Sequence, residues 1–179
     1  MTPPQPADRE AAFSEFYAAA WPRLIRTTYA VAGDLATAED ALQTAFAAAY
    51  KSWRQVSTAD NPLALVRRMA TNAAISHHRK AHTRRERPVH RFPEAPTPQE
   101  ADDVFARGEM WAAIQQLAPR QRAVVVLRYY EGLSEREIAE VLSCRPGTVK
   151  SQASAALDNL RRRLGWSRRS RRINTSVRT

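Results

Sequence analysis

The residues best placed to do chemistry are Thr148, Lys150, Ser151, Gln152 and Ser154. They sit among apolar positions Val149, Ala153, Ala156, Leu157, Leu160 and Leu164, which recur at helical spacing. Short donors and acceptors on the outer face of one helix suit the hydrogen-bonding edges of bases in the DNA major groove. Arg161, Arg162 and Arg163 follow on the same segment, where their guanidinium forks would meet phosphates. Catalytic groupings are not visible. His77, His78, His82 and His90 have no cysteine partners, and the adjacent pair points to different helix faces, so no metal site is expected. With no glycine-rich phosphate loop and no nucleophile motif, no catalytic residue and no cofactor are expected.

The element before this helix fixes how it is presented. Ser134 followed by Glu137 is a capping box, so a helix starts there, with Ile138 and Leu142 on its buried face. Ala139 is small enough to let two helices cross closely. Arg145-Pro146-Gly147 then breaks the chain before the second helix. Two short helices around a tight turn form a helix-turn-helix, whose second helix enters the major groove N-terminus first. The same pattern also suits a plain αα-hairpin within a helical bundle. Cys144, the one cysteine, reads as a small buried hydrophobe and excludes an internal disulfide.

Composition agrees with a nucleic-acid partner. The 179 residues carry a net charge of +10, almost all of it from arginine, since Lys51, Lys80 and Lys150 are the lysines. With 44% hydrophobic residues, five glycines and many alanines, the chain should fold as helices. The polar, proline-rich start from Met1 to Glu10 is no signal peptide, and no apolar run reaches the ~20 residues of a membrane span, so a cytoplasmic protein without membrane contact is expected.

Three helical stretches come first. One carries Phe13, Phe16, Tyr17, Ala20, Leu24 and Val31 and ends at Gly33. A second, with Asp34 at its start, carries Ala38, Leu42, Ala45, Phe46, Ala49 and Trp53. After a loop from Val56 to Asn61, a third opens at Pro62 with Leu63, Val66, Ala70 and Ala73 on one face. Residues 84–103, with Pro88, Pro93, Pro96 and Pro98, read as a flexible linker. A second helical domain follows as Val104–Leu117, Pro119–Tyr130, Ser134–Leu142 and Pro146 to about Leu164. The expectation is an all-α protein of two small helical domains, 1–83 and 104–166, with a basic tail at 167–179. Tyr50, Trp53 and Trp111 are expected in the core.

Leu117-Ala118-Pro119-Arg120-Gln121-Arg122, Leu127-Arg128-Tyr129-Tyr130-Glu131-Gly132-Leu133-Ser134 and Gly147-Thr148-Val149-Lys150-Ser151 together resemble region 4 of bacterial extracytoplasmic-function (group 4) sigma factors of the sigma-70 family, most closely the actinobacterial SigE-like branch. Ala38-Glu39-Asp40-Ala41-Leu42-Gln43-Thr44-Ala45-Phe46 resembles region 2.2, and the stretch from Met69 to Lys80 resembles regions 2.3 and 2.4. The resemblance implies a three-helix region 2 domain and a four-helix region 4 helix-turn-helix domain. It implies a factor that binds core RNA polymerase, through the β′ clamp and the β flap, and directs promoter recognition, DNA melting and transcription initiation.

Residue roles follow from it. Glu39, Asp40 and Gln43, opposite Leu42 and Phe46, would dock on the polymerase clamp. Asn61, Arg67, Arg68, Asn72, Ser76, Arg79 and Lys80 would hold the −10 element, with the loop 56–61 and Asn72 forming a base pocket. Arg145, Thr148, Lys150, Ser151, Gln152, Ser154 and Arg161 would read the −35 element. The linker's Glu94, Glu100, Asp102 and Asp103 would lie towards the polymerase active-site channel. An anti-sigma factor is a further possible partner. The chain departs from the family's pattern at five positions: Ser76 replaces a common aspartate, Ser143 the glycine of the turn, and Arg145 a serine cap, while Gln152 and Ala155 stand where arginines are common. A DNA-binding regulator that never touches polymerase would need the helix-turn-helix but neither the Asp40–Gln43 face nor the −10 helix.

Overall fold

The computed structural model describes residues 6–83 and 108–165, and among these every regular element is helical. The linker 84–103, its acidic residues and the tail 167–179 lie outside the described residues. The N-terminal helices are α1 (Pro6–Ala32), α2 (Leu35–Lys51), the short α3 (Trp53–Ser57) and α4 (Pro62–Thr83). Gly33, at φ +94°, ends α1 in a conformation that an L side chain resists. Asp34 then starts α2 by accepting from the Thr37 backbone N–H at 2.8 Å. Leu42, Ala45, Phe46 and Ala49 of α2 pack with Ala20 and Leu24 of α1 and with Val66 and Ala70 of α4. Of the expected stripes, Phe13, Phe16, Leu63 and Ala73 are only partly buried, and Tyr17 stays exposed. An aromatic group closes the far end of this core, where Phe13 meets Trp53 edge-on at 5.2 Å.

Two local expectations change. The loop expected over Val56–Asn61 begins later, because α3 extends the helical path to Ser57 and buries Val56. Tyr50, expected in the core, is 39% exposed at the rim, where Arg9 lies over its ring. Trp53 is buried, and Trp111 is partly buried against the core.

The C-terminal helices are α5 (Glu109–Gln115), α6 (Pro119–Val125), α7 (Glu135–Val141) and α8 (Pro146–Arg163). α6 runs on through a π-helical turn, Val126–Tyr130. The capping box is present in both directions: Ser134 Oγ accepts from the Glu137 N–H at 3.3 Å, and Glu137 Oε2 accepts from the Ser134 N–H at 2.8 Å. Hydrogen bonding from Ser134 to the carboxylate, its hydroxyl first and its backbone N–H second, holds the Glu137 carboxyl below the usual carboxylate range.

The turn is built without its glycine. Ser143 takes φ +50°, its N–H bonds to the Glu140 carbonyl at 3.3 Å, and the Cys144 N–H bonds to the Ala139 carbonyl at 2.9 Å. This is a Schellman C-cap with serine in the left-handed position. Ala139 is 5% exposed at the crossing, as its size predicts, and Cys144 is half-buried against the core.

The two helical sets do not stand apart. Ala30, Val31, Ala32, Ala38, Ala41 and Ala74 from the first share one apolar core with Val124, Val126, Leu127, Ile138, Val141 and Leu142 from the second. At its edge the guanidinium of Arg122, 2% exposed, reaches across to the end of α1. Nε donates to the Val31 carbonyl at 2.7 Å and Nη2 to the Ala32 carbonyl at 3.0 Å, while Nη1 holds Gln115 of its own set. Among the described residues no buried side-chain nitrogen or oxygen lacks a partner.

Two substitutions test this account of the helix-turn-helix. Ser134→Ala, which removes the cap, should cost about 1 kcal/mol in urea unfolding. Ser143→Gly should instead stabilise the protein by roughly 0.5–1 kcal/mol by relieving the left-handed serine. A loss of stability in the glycine variant would contradict the assigned turn.

Candidate nucleic-acid interface

α8 divides into two faces. Val149, Ala153, Ala156 and Leu160 are buried, Val149 and Ala153 in the shared core and Ala156 and Leu160 against Ile114, Leu117 and Val125. The opposite face carries Lys150, Ser151 and Ser154, all exposed, with Gln152 half-buried beside them. Arg145 stands exposed at the N-cap position, without a side-chain cap bond, and Pro146 occupies the first turn. Thr148 is half-buried, and its carbonyl accepts from the Ser151 hydroxyl at 3.0 Å. One line of side chains thus runs along α8 from Lys150 through Ser154 to Arg161, with helical spacing.

Acidic neighbours engage the cations of this face. Lys150 Nζ lies 3.6 Å from Glu135 Oε2, and Arg128 Nη1 lies 3.3 Å from the other oxygen of the same carboxylate. Arg161 pairs with Asp158 at 2.8 Å. Lys150 is 69% exposed, so its pair is held weakly and can be exchanged for a phosphate or a base edge. Glu135 was not foreseen from the sequence. Only the crossing of α7 against the start of α8 brings it to Lys150.

The residues proposed for the −10 element are distributed differently. Asn61 is a helix cap: its Oδ1 accepts from the Ala64 N–H at 2.9 Å at the start of α4. Arg67, Arg68 and Asn72 face the C-terminal helices. Arg67 pairs with Glu131 at 3.5 Å, with side chains only 15% and 20% exposed, and Thr27 also donates to that carboxylate. Arg68 Nη2 donates to Ser143 Oγ at 3.1 Å, and Asn72 Nδ2 donates to the Val141 carbonyl at 2.8 Å. Ser76 is half-buried, and the side chains of Arg79 and Lys80 lie outside the described residues. The structure therefore gathers Arg67, Arg68 and Asn72 into one patch and lays the turn of the helix-turn-helix upon it.

On the far side of the N-terminal helices, Glu39, Asp40 and Gln43 are exposed on α2, while Ala41, Leu42, Ala45 and Phe46 are buried. An acidic-and-amide face is thus presented to solvent by a helix whose other side is fully committed to packing. Among the described residues no group of side chains could hold a metal ion, and no helix is long and apolar enough to cross a membrane.

Arg122 and Glu131 escaped the sequence reading. Arg122 lies among the buried aliphatics Ala123, Val124, Val125 and Val126, and an arginine within such a run was the available signal that it is not on the DNA-facing surface.

Comparison with known proteins supplies the family. Residues 16–85 match sigma-70 region 2 and residues 107–160 match sigma-70 region 4. The RNA polymerase sigma-E factor of Streptomyces coelicolor is 34% identical over 152 residues, 85% of each chain. The ECF RNA polymerase sigma factor SigL of Mycobacterium tuberculosis is 32% identical over 155 residues, 84% of this chain and 85% of its own. Among solved structures, the sigma factor RpoE of Bartonella quintana, in complex with the anti-sigma factor NepR, superposes with a TM-score of 0.65 at 22% identity. That match covers 88% of this chain and 99% of that one, and it shows a common fold. With α2 and α4 inside the region 2 match and the helix-turn-helix inside the region 4 match, the chain belongs to the sigma-70 family of RNA polymerase sigma factors, in its extracytoplasmic-function branch.

Proposed function

We propose that this sigma factor reads the −35 element with the outer face of α8, holds the non-template strand of the −10 element on α4, and docks on the β′ clamp of core polymerase through Glu39, Asp40 and Gln43. The observation that carries the reading is the two-faced α8. One side is wholly packed, and the other presents Lys150, Ser151 and Ser154 with nothing apolar among them. A helix that only served the core of a bundle would have no need of a base-reading set at its N-terminal end.

In this scheme the polymerase does the bond-making. The sigma factor contributes position and strand separation, and no group of its own acts as a catalyst. Unstacking a duplex step costs a few kcal/mol, which capture of the exposed bases must offset. Cations along α4 track the backbone, and Asn72 offers an amide to a flipped base. The partners are core polymerase and promoter DNA, so the site of action is the cytoplasm. An anti-sigma factor is a natural further partner, as one is for the Bartonella protein.

Run-off transcription with core polymerase on a panel of promoters tests the whole reading, and dependence of specific transcripts on this protein is the expected result. Two surface predictions refine it. The Asp40→Ala, Gln43→Ala double variant should bind core polymerase at least several-fold more weakly with unchanged helicity. Equal affinity would remove the clamp from that face. Lys150→Ala should lose affinity unequally across −35 variants, since a base-specific contact is worth ~1–3 kcal/mol and a phosphate contact acts evenly on all sequences. A uniform loss would reassign Lys150 to the backbone.

A further inference from the structure

We propose that Glu135 is a positioning residue for the −35 contact: it keeps Lys150 off the phosphates and presents its ammonium to one base pair. This rests on the assignment of the outer face of α8 to the −35 element. The carboxylate sits where three elements meet. One oxygen takes Arg128 Nη1 from the π-helical turn at 3.3 Å, and the other takes Lys150 Nζ from α8 at 3.6 Å. Glu135 is the first residue of α7, directly after the Ser134 cap, where the free N–H groups of a helix start favour a negative charge. Its side chain is 29% exposed against 69% for Lys150, so the acid is the fixed member of the pair and the lysine the adjustable one. Glu137, two residues on, is committed to the capping box, so the two acids of this turn have separate tasks.

The chemistry of lysine explains the need for such a partner. An ammonium on a flexible stem suits a phosphate oxygen as well as a guanine edge. Left free beside a duplex, it would settle on the backbone, where negative charge is densest and no sequence is read. With one N–H on Glu135, two donors remain, enough for the O6 and N7 acceptors of a guanine. The same carboxylate repels phosphate oxygens. An exposed ion pair is weak, and here a weak one suffices, because it only tips a choice between two contacts of similar strength.

The rest of α8 makes this side chain decisive. Lys150 is the first cation along the helix, and the next is Arg161, about three turns on. Between them the exposed polar set includes Ser151 and Ser154, short groups that reach only what lies directly against them. The acid also cancels one of the two cationic charges in its cluster. Attraction to any duplex therefore falls while discrimination among duplexes rises.

The experiment uses holoenzyme formed with core polymerase, the strongest promoter of the run-off panel, and duplexes carrying one changed base pair in its −35 element. Wild type is compared with Glu135→Gln, Lys150→Ala and the double variant. Glu135→Asp is added because it keeps the charge at the helix start but draws the carboxylate back from Lys150. Both Glu135 substitutions leave the Ser134 cap in place, and a loss of helicity in one leaves the other to decide.

Glu135→Gln should bind a duplex with a scrambled −35 element more tightly than wild type. It should lose at least threefold of the discrimination at the base pair where Lys150→Ala loses most. Glu135→Asp should lose discrimination without that gain. In the Lys150→Ala background, Glu135→Gln should leave discrimination unchanged. Salt dependence supplies a readout that a merely structural role would not move. A freed lysine joins a phosphate, so the slope of log affinity against log salt should steepen by about 0.9 in Glu135→Gln and by less in the double variant.

Full wild-type discrimination in Glu135→Gln, beside a base-specific loss in Lys150→Ala, would overturn the positioning role and leave −35 reading by α8 intact. A loss of discrimination from Glu135→Gln in the Lys150→Ala background would overturn it too, since the acid would then act by another route. If Lys150→Ala weakens all duplexes evenly, the assignment of Lys150 to a base falls, and the positioning role falls with it.

Discussion

The arrangement depends on a buried guanidinium. Arg122 is taken almost wholly out of water, and no carboxylate bonds to it directly. Burial pushes its pKa down to about 10, against a smaller upward pull from Asp34, so it stays charged at neutral pH and its positive charge must be stabilised in place. What stabilises it is the C-terminal end of α1, where free carbonyls and the negative end of the helix dipole converge. A lysine could not substitute: the fork geometry lets one side chain bind Val31, Ala32 and Gln115 together, and a single ammonium on a flexible stem would leave acceptors unpaired. The interaction also orients. Because the carbonyl ring of a helix end points along its axis, α6 can meet α1 in only a narrow range of angles, and the apolar contacts of Ala30, Val31 and Ala32 follow from that.

The helix-turn-helix shows how local rules hold an exposed polar helix face in place. The capping box at Ser134 fixes where α7 begins, and the Schellman closure at Ser143 fixes where it ends. Between them only Ile138, Ala139 and Val141 need be buried, so α7 is short and its ends decide its position. α8 is then set by Pro146 and by its own buried stripe. Its outer face is left to chemistry. A left-handed serine is a small strain that the crossing at Ala139 and the packing of Leu142 outweigh, and its hydroxyl, turned outward by that conformation, is the group that meets Arg68.

Much of this was legible in the sequence because it is local. The stripes of α1, α2, α4 and α8, the Asp34 cap, the capping box and the missing turn glycine each depend on residues within a turn or two of one another. So did the exposed Glu39, Asp40 and Gln43. Illegible features all involve distant residues. Arg122 and Val31 are 91 positions apart, Asn72 and Val141 are 69 apart, and no spacing rule links them. Arginine misleads in particular, since in a chain this basic it reads as a DNA contact wherever it occurs. Tyr50 misled the other way: an aromatic expected in the core, it stands one residue before α2 ends, and its ring is left at the rim.

The same side chains cannot make two sets of bonds at once, and that turns a packing detail into thermodynamics. Arg67, Arg68 and Asn72 are bonded to Glu131, Ser143 and the Val141 carbonyl. Any further partner of these three must displace those bonds before it gains its own. Glu39, Asp40 and Gln43 are exposed on α2 while Ala41, Leu42, Ala45 and Phe46 behind them are committed to packing, so a partner on that face displaces only water. Covered and open polar faces of one small helical protein thus differ in what a partner must give up to use them.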